Sequence, residues 1–449
     1  MSGLEIGVTG FVVLLILLAV RIPIGVAMMG VGIVGYISIA GTVPLLSYLK
    51  TETYWRFTSF DLSVAPLFIL MGQFAAKAGL SQALFRAANV WLGHHRGGVA
   101  MAAVGGCAGF ASISGSSLAT AALMGQVALP ELKRFNYAGS LATGCLAAGG
   151  TLGILIPPSI ILIIYAIMVE ANIATLFQAA FLPGIFAALG YLLAIAIVVR
   201  INPEAGPAGP RAPRSEQWAA LFDIWPVLLI FILVMGGIYT GIFTPTEGAA
   251  VGALGTFLIA VTKGGMRLKG TIDAVLGTAS TTAMIFLILL GAAIFNAFLG
   301  FSELPNLAAD FFKNSGMTPI MVVFGMVVLY ILMGFVMDSL SMILLTVPIF
   351  WPIIAGLDFG MEIDDVKLWF GIISLIVVEV GLITPPVGLN VFVISSMAKD
   401  VPMIETFKGV IPFFLSDCVR VAIILAFPVV VLWLPNVLKL DRKSTRLNS

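Results

Sequence analysis

Two stretches of this chain carry residues whose types and spacing suit them to hold a cation without burying a full countercharge. Gly149-Gly-Thr-Leu-Gly-Ile-Leu-Ile-Pro-Pro-Ser159 lies inside an apolar segment from about residue 141 to 169, and Gly381-Leu-Ile-Thr-Pro-Pro-Val-Gly-Leu-Asn390 inside a second, from about 368 to 397. A proline pair cannot continue a helix, and the first proline of each pair pushes the residue before it out of α geometry, so each segment reads as two half-helices joined by extended backbone. Unwound carbonyls and nearby hydroxyls are the oxygen ligands a sodium ion needs at membrane depth. Each break has a small-residue turn able to face it. Ser112, Ser114, Gly115, Ser116 and Ser117 face Gly149, Thr151, Gly153 and Pro157; Gly334, Met337, Asp338 and Ser339 face Gly381, Thr384, Pro385 and Val387. Asp338 is the sharpest of these, because a carboxylate centred in a long apolar stretch costs at least about 2.5–3.5 kcal/mol unless paired or functional. It can also cap the helix that follows, and the two roles are compatible.

The half-helices expected to begin at Ser159 and Val387 aim their positive N-termini at one central region, where a small anionic solute can bind without a full cation. Ser116, Ser117, Ser159, Asp338 and Asn390 are the candidate solute contacts. The bland alternative for any single serine or threonine is helix packing or back-bonding. Glu379, Asp417 and Arg420 are also embedded, with an internal arginine–carboxylate pair as their first reading and a solute role second. His94 and His95 adjoin Arg96 and read as a solvated edge rather than a metal pair. Cys107, Cys145 and Cys418 lack metal-ligand spacing and read as small core residues. No phosphate-binding loop is present, which disfavours ATP-driven transport by this chain alone. A hydrolase would need a base near Ser112 to Ser117, and no His or Lys lies there.

The elements around these residues belong to a membrane protein. Hydrophobic residues make up 60% of the 449 and charged residues 10%, with a mean hydropathy of +1.11, against roughly 45–50% and about 25% in soluble domains. A net charge of +1 argues against a nucleic-acid partner, which needs a basic face. The run 4–20 carries Glu5 in place of a basic leader and reads as an uncleaved helix. Next come an elbow at Arg21-Ile-Pro23, a span 22–40, a polar loop 50–61, a span 63–78 and an amphipathic interfacial helix 80–92. Residues 98–131 read as a re-entrant hairpin, 136–169 as the first broken helix and 177–199 as a further span. After a Pro/Gly/Arg linker, 201–219, the order returns: spans at 226–239, 248–261 and 278–298, an amphipathic 304–312, a hairpin 319–352, a broken helix 367–398, and a closing segment 404–434. Residues 441–449 form a discordant basic tail to which no function is given.

Pro23 and Pro245 lie 222 residues apart, as do Gly30 and Gly252, and Pro130 and Pro352; the proline pairs lie 228 apart, and Pro183 and Pro412 lie 229 apart. A steady offset with one insertion is the mark of an internal duplication, residues 1–200 against 220–440. Five spans plus one hairpin per half is an odd number of crossings, so the second copy is inverted. The fold class is therefore an all-α polytopic membrane protein of two inverted repeats, each with one span broken at a Pro-Pro pair. Placing the N-terminus outside puts most of the basic residues, from Arg21, Arg86, Arg96, Lys133 and Arg134 to Lys399 and Lys408, in the cytoplasm; Lys50, Arg56, Lys313 and Lys367 face outward. That follows the positive-inside rule.

Taken together, Ser112-Ile-Ser-Gly-Ser-Ser117, Gly153-Ile-Leu-Ile-Pro-Pro-Ser159, Met337-Asp338 and Thr384-Pro-Pro-Val-Gly-Leu-Asn390 resemble the large membrane subunit of the tripartite ATP-independent periplasmic (TRAP) transporters, the DctM-like or SiaM-like subunit. The resemblance runs to about Leu440. It implies a sodium-driven symporter of the ion-transporter superfamily in a bacterial inner membrane, with no cofactor beyond the coupling ion. It also implies an elevator, in which a transport domain of hairpins and broken helices slides against a scaffold. The implied partners are a small four-helix membrane subunit, separate here because the chain starts with its first repeat, and a periplasmic binding protein that delivers an acidic solute. The rivals are a stand-alone dicarboxylate–sodium symporter of the same superfamily and a non-transporting scaffold subunit.

Overall fold

The computed structural model describes residues 2–20, 22–335 and 337–447, with side chains described up to 439; Arg21 of the expected elbow lies outside them. The regular elements among the described residues are all helical. In chain order they are α1 (Gly3–Ala19), α2 (Ile24–Ala40), α3 (Thr42–Thr58), α4 (Val64–Lys77), α5 (Leu80–Leu92), α6 (Gly98–Ser114), α7 (Ser117–Arg134), α8 (Gly139–Leu155), α9 (Ile160–Met168) and α10 (Ile173–Ile201). There follow α11 (Arg214–Asp223), α12 (Trp225–Phe231), a π-turn at Ile232–Gly236, α13 (Gly237–Thr240), α14 (Pro245–Thr262), α15 (Leu268–Ser302) and α16 (Leu304–Asn314). The chain ends with α17 (Pro319–Gly334), α18 (Ser339–Ala355), α19 (Ile363–Gly381), α20 (Leu389–Met397), α21 (Met403–Ala426) and α22 (Val429–Leu447).

Among the described residues five helices are long and apolar enough to cross a membrane, up to seven if each of two bent pairs is one span. The bent pairs are α3 with residues 61–77, at 54°, and α8 with α9, at 45°. This count is smaller than the ten spans read from the sequence, because α1, α2 and other apolar helices have 10–17 residues. Where the first half has the α3–α4 bend, the second half has one uninterrupted helix of 35 residues, α15.

Three segments differ from expectation. Residues 50–61 are not a polar loop: α3 runs through most of them, with Glu52 and Arg56 paired one turn apart, spacing that supports a helix. The linker is shorter than read, since α11 already begins at Arg214. The closing segment 404–434 is two helices, α21 and α22, parted at Phe427 and Pro428, whose missing N–H cannot continue α21. α22 then carries helical backbone through residue 447 of the basic tail.

Small residues allow the closest helix contacts. A Cβ on Gly25 would stand 3.1 Å from the Ile288 backbone and one on Gly291 2.4 Å from the Gly25 carbonyl, so α2 and α15 meet backbone to backbone. Around the two breaks, α8 packs on α6, α7, α10 and α21, and α19 on α17, α18 and α10. Two buried aromatics there donate to backbone: Tyr165 to the Lys367 carbonyl at 2.8 Å and Trp369 to that of Ile424 at 3.0 Å.

Candidate functional site

At the first turn, α6 ends at Ser114 and Gly115 takes the left-handed conformation (φ 60°) that glycine adopts without strain. Ser116 is extended and caps α7, its Oγ accepting from the Ala119 N–H at 3.4 Å. The turn rests on the break, for a Cβ on Gly115 would lie 3.0 Å from the Pro158 carbonyl, and one on Gly153 2.4 Å from that of Ser116. Ile156 is extended, the Pro157–Pro158 bond is cis, and Ser159 caps α9 by accepting from Leu162 at 3.4 Å. Ser112, Ser114, Gly115, Ser116, Gly153 and Pro157 thus gather around one turn and one break. Ser112 spends its hydroxyl on the Gly109 carbonyl at 2.7 Å, and Ser114 shares one with Thr120 at 2.7 Å. Gly149 faces Cys107, and Thr151 turns to Tyr191 on α10, at 2.9 Å, so these two do not join the turn.

The second turn has the same plan with a charged cap. Asp338 is extended (φ −77°, ψ 163°) and its Oδ2 accepts from the N–H groups of Leu340 at 3.1 Å and Ser341 at 3.3 Å. Its Oδ1 accepts from the Ser341 hydroxyl. Asp338 is therefore a helix cap in this structure, with its carboxylate at the head of α18 where the dipole favours it. Met337 is buried beside it. Gly334 touches Gly381 backbone to backbone. The break spans 382–388, with the Pro385–Pro386 bond cis. Gly388, at φ 57°, starts α20 at Leu389, so the second half-helix begins two residues after the expected Val387. Pro385 and Val387 are exposed, and Thr384 bonds the Val380 carbonyl at 2.6 Å.

Between the turns lies a cavity of about 160 Å³. Ser116, Ser117 and Leu118 bound it from the first turn, Asp338, Ser339 and Leu340 from the second, and Thr281, Met284 and Ile285 from α15. Of the five expected solute contacts, Ser116, Ser117 and Asp338 line it. Ser159 is buried in its cap, and Asn390 lies between α20 and α8, with Nδ2 donating to the Ala147 carbonyl at 3.2 Å and Oδ1 without a partner among the described residues. The α15 residues are absent from the expected set. Their signal was the hydroxyl run Ser280-Thr-Thr282 inside an apolar span.

The embedded charges divide. Asp417 takes Arg420 at 2.8 Å and the Tyr191 hydroxyl at 2.8 Å, which extends to Thr151, so the expected internal pair is present. Glu379 is not a partner of Arg420: its two oxygens accept from Ser117 and Ser339, the latter at 2.8 Å. The His94 and His95 rings lie 3.9 Å apart and tilted at 41°, and no group of three or more His, Cys, Asp or Glu that could hold a metal occurs among the described residues. Outside the spans, the Lys133 ammonium bonded to Asp400 holds that carboxyl below the usual range.

With this geometry in view, the chain's relatives decide its family. The family model described as tripartite ATP-independent periplasmic transporter, DctM component, matches residues 11–430. The chain belongs to this family. It is 36% identical to the C4-dicarboxylate TRAP transporter large permease protein DctM of Pseudomonas aeruginosa, over 84% of this chain and 86% of that one. It is 30% identical to the sialic acid TRAP transporter large permease protein SiaM of Vibrio cholerae, over 84% and 87%. The isethionate TRAP transporter permease protein DctMQ of Oleidesulfovibrio alaskensis is 31% identical over 87% of this chain but only 60% of its own length. The solved structure of the Alcanivorax borkumensis YdaH transporter superposes with a TM-score of 0.64 at 15% identity, covering 86% of this chain and 89% of that one. At that identity it speaks for the fold alone: this DctM-family chain shares a helical membrane-transporter architecture. It is the large permease of a TRAP transporter.

Proposed function

We propose that this permease carries a small carboxylated solute inward across a bacterial inner membrane, driven by sodium. The observation that carries the reading is the cavity bounded by both turns, each resting on its own proline break. Four relatives are named for C4-dicarboxylate, sialic acid, isethionate and 2,3-diketo-L-gulonate, all small organic acids. The head of α7 offers such an acid N–H groups and the Ser116 hydroxyl. Asp338 would repel it, and a cation at the second turn removes that repulsion, which makes cation binding a condition for solute binding. In this reading the halves are inverted repeats. Hairpins α6–α7 and α17–α18 and the two broken helices move as one body against a scaffold containing α2, α4, α14 and α15, and the N-terminus faces the periplasm. A small membrane subunit and a periplasmic binding protein complete the system; the name DctMQ, borne by a relative much longer than this chain, supports the first.

The test is thermal unfolding of the purified chain in sodium against matched potassium and choline, followed by uptake in liposomes with both partners. A ligand at about 100 times its Kd stabilises by roughly 2.7 kcal/mol. Asp338→Asn keeps a capping side chain and Asp338→Ala loses it, at about 1 kcal/mol. A sodium-specific shift lost in both variants supports a cation at the second turn. Equal melting in the three salts sinks sodium coupling.

A further inference from the structure

Glu379 stands on α19, on neither hairpin, and is 1% exposed. Both of its carboxylate oxygens are nevertheless taken by hairpin hydroxyls: Ser117 donates to Oε2 and Ser339 to Oε1 at 2.8 Å. These serines are the first residues of α7 and α18 and lie 222 positions apart, the offset that relates the two halves. They are 1% and 4% exposed, so water does not compete for the bonds. Arg420 is committed to Asp417. The position 228 before Glu379 is Thr151, which points to Tyr191 instead. The second break thus makes a link that the first does not.

We propose that Glu379 is a positioning residue that ties the two hairpin tips together, so that filling or emptying a site at one tip is transmitted to the other through a single carboxylate. Hydroxyl bonds to a carboxylate are about twice as strong as neutral ones, and a buried carboxylate that loses a donor is left poorly satisfied. A tip that moves away alone therefore weakens the setting of the other, and the two favour moving together. What fills the tips rests on the sodium-coupled reading; the tie itself does not.

Hydrogen exchange of the full chain in lipid nanodiscs, in sodium and in potassium, separates the two. Glu379→Gln keeps a carbonyl acceptor for one serine and an amide donor for the other, whereas Glu379→Leu keeps the bulk and removes both bonds. The tie predicts exchange about tenfold faster or more at both tips, residues 112–120 and 334–342, in the Leu variant, and within about twofold of wild type in the Gln variant. Unchanged exchange in α2 and α15 shows that the fold is intact. Should Glu379→Leu not fold, Ser117→Ala and Ser339→Ala replace it, each expected to loosen the opposite tip as well as its own. An effect confined to one tip, no effect at either, or a Gln variant as damaged as the Leu variant overturns the proposal. Wild type protected equally in sodium and potassium would remove the sodium reading and leave the tie to be judged on the variants.

Discussion

Gly334 and Gly381 meet with nothing between their backbones: a Cβ on Gly334 would stand 2.5 Å from the Gly381 Cα, and one on Gly381 2.7 Å from the Gly334 Cα. This contact holds the end of α17 against the end of α19, and so holds the second turn on its break. Both obstructing atoms belong to backbone, so no flexible side chain can yield. Gly334→Ala and Gly381→Ala are each expected to destabilise by about 1–3 kcal/mol through overpacking and to weaken any sodium-specific stabilisation. Gly325→Ala, on the same α17 with nothing within 4 Å of its Cβ, is the control. It should be neutral or stabilising by up to about 1 kcal/mol. Thermal melts with and without sodium check this; a Gly381→Ala variant that melts like Gly325→Ala would refute it.

Asp417 and Arg420 call for a different experiment. Both are almost fully buried, and the Arg420 Nε and one terminal nitrogen have no partner among the described residues. Asp417→Leu leaves a buried guanidinium without its countercharge and should cost about 3–5 kcal/mol, while Asp417→Leu with Arg420→Met should recover most of that loss. Denaturation of the three proteins in one detergent checks it. A double variant no more stable than the single would mean that the pair is held for something other than mutual compensation.

The parts of the site that were legible in the sequence are those written in local chemistry. Pro157-Pro158 and Pro385-Pro386 break helices wherever they stand, and Gly115 and Asp338 mark their turns through a left-handed glycine and a helix cap. What could not be read depends on distant partners or on one unusual torsion. Glu379 reads as one more embedded charge until Ser117, 262 positions away, is brought to it. Gly388 in the left-handed region delays α20 past Val387. Thr281 enters the cavity because α15 happens to pack beside both turns. The segment 50–61 has the polar composition of a loop, while its Glu52–Arg56 spacing suits the helix it forms.

Lys133, near the end of α7, and Asp400, after α20, bridge two elements outside the spans. The Lys133 bond lowers the folded-state pKa of Asp400. A depressed carboxyl adds stability that is present above its unfolded value, about 3.9, and is lost as pH falls through the folded one. Asp400→Asn should therefore melt slightly below wild type at neutral pH, and the two should converge in acid well below pH 4. The side chain of Asp400 is 61% exposed, so the difference should also fade at about 1 M salt, where screening is near complete beyond about 3 Å. A gap that widens in acid would contradict the sign.

Thr281 and Thr282 are neighbours on α15 with opposite expectations. Thr281 lines the cavity between the two turns, whereas the Thr282 hydroxyl is buried without a partner among the described residues. If the cavity receives the solute, Thr281→Val removes a polar contact at nearly constant volume. One neutral hydrogen bond is worth about 1 kcal/mol, so the KM for uptake should rise about fivefold. With kcat unchanged, the lost interaction is one made equally before and during translocation. Thr282→Val removes an unsatisfied hydroxyl and should leave KM alone while raising stability by about 1 kcal/mol or more. Both are read from initial uptake rates in liposomes containing the partner proteins, alongside melts of the purified chain. Equal KM values for the two variants would move the solute out of this cavity.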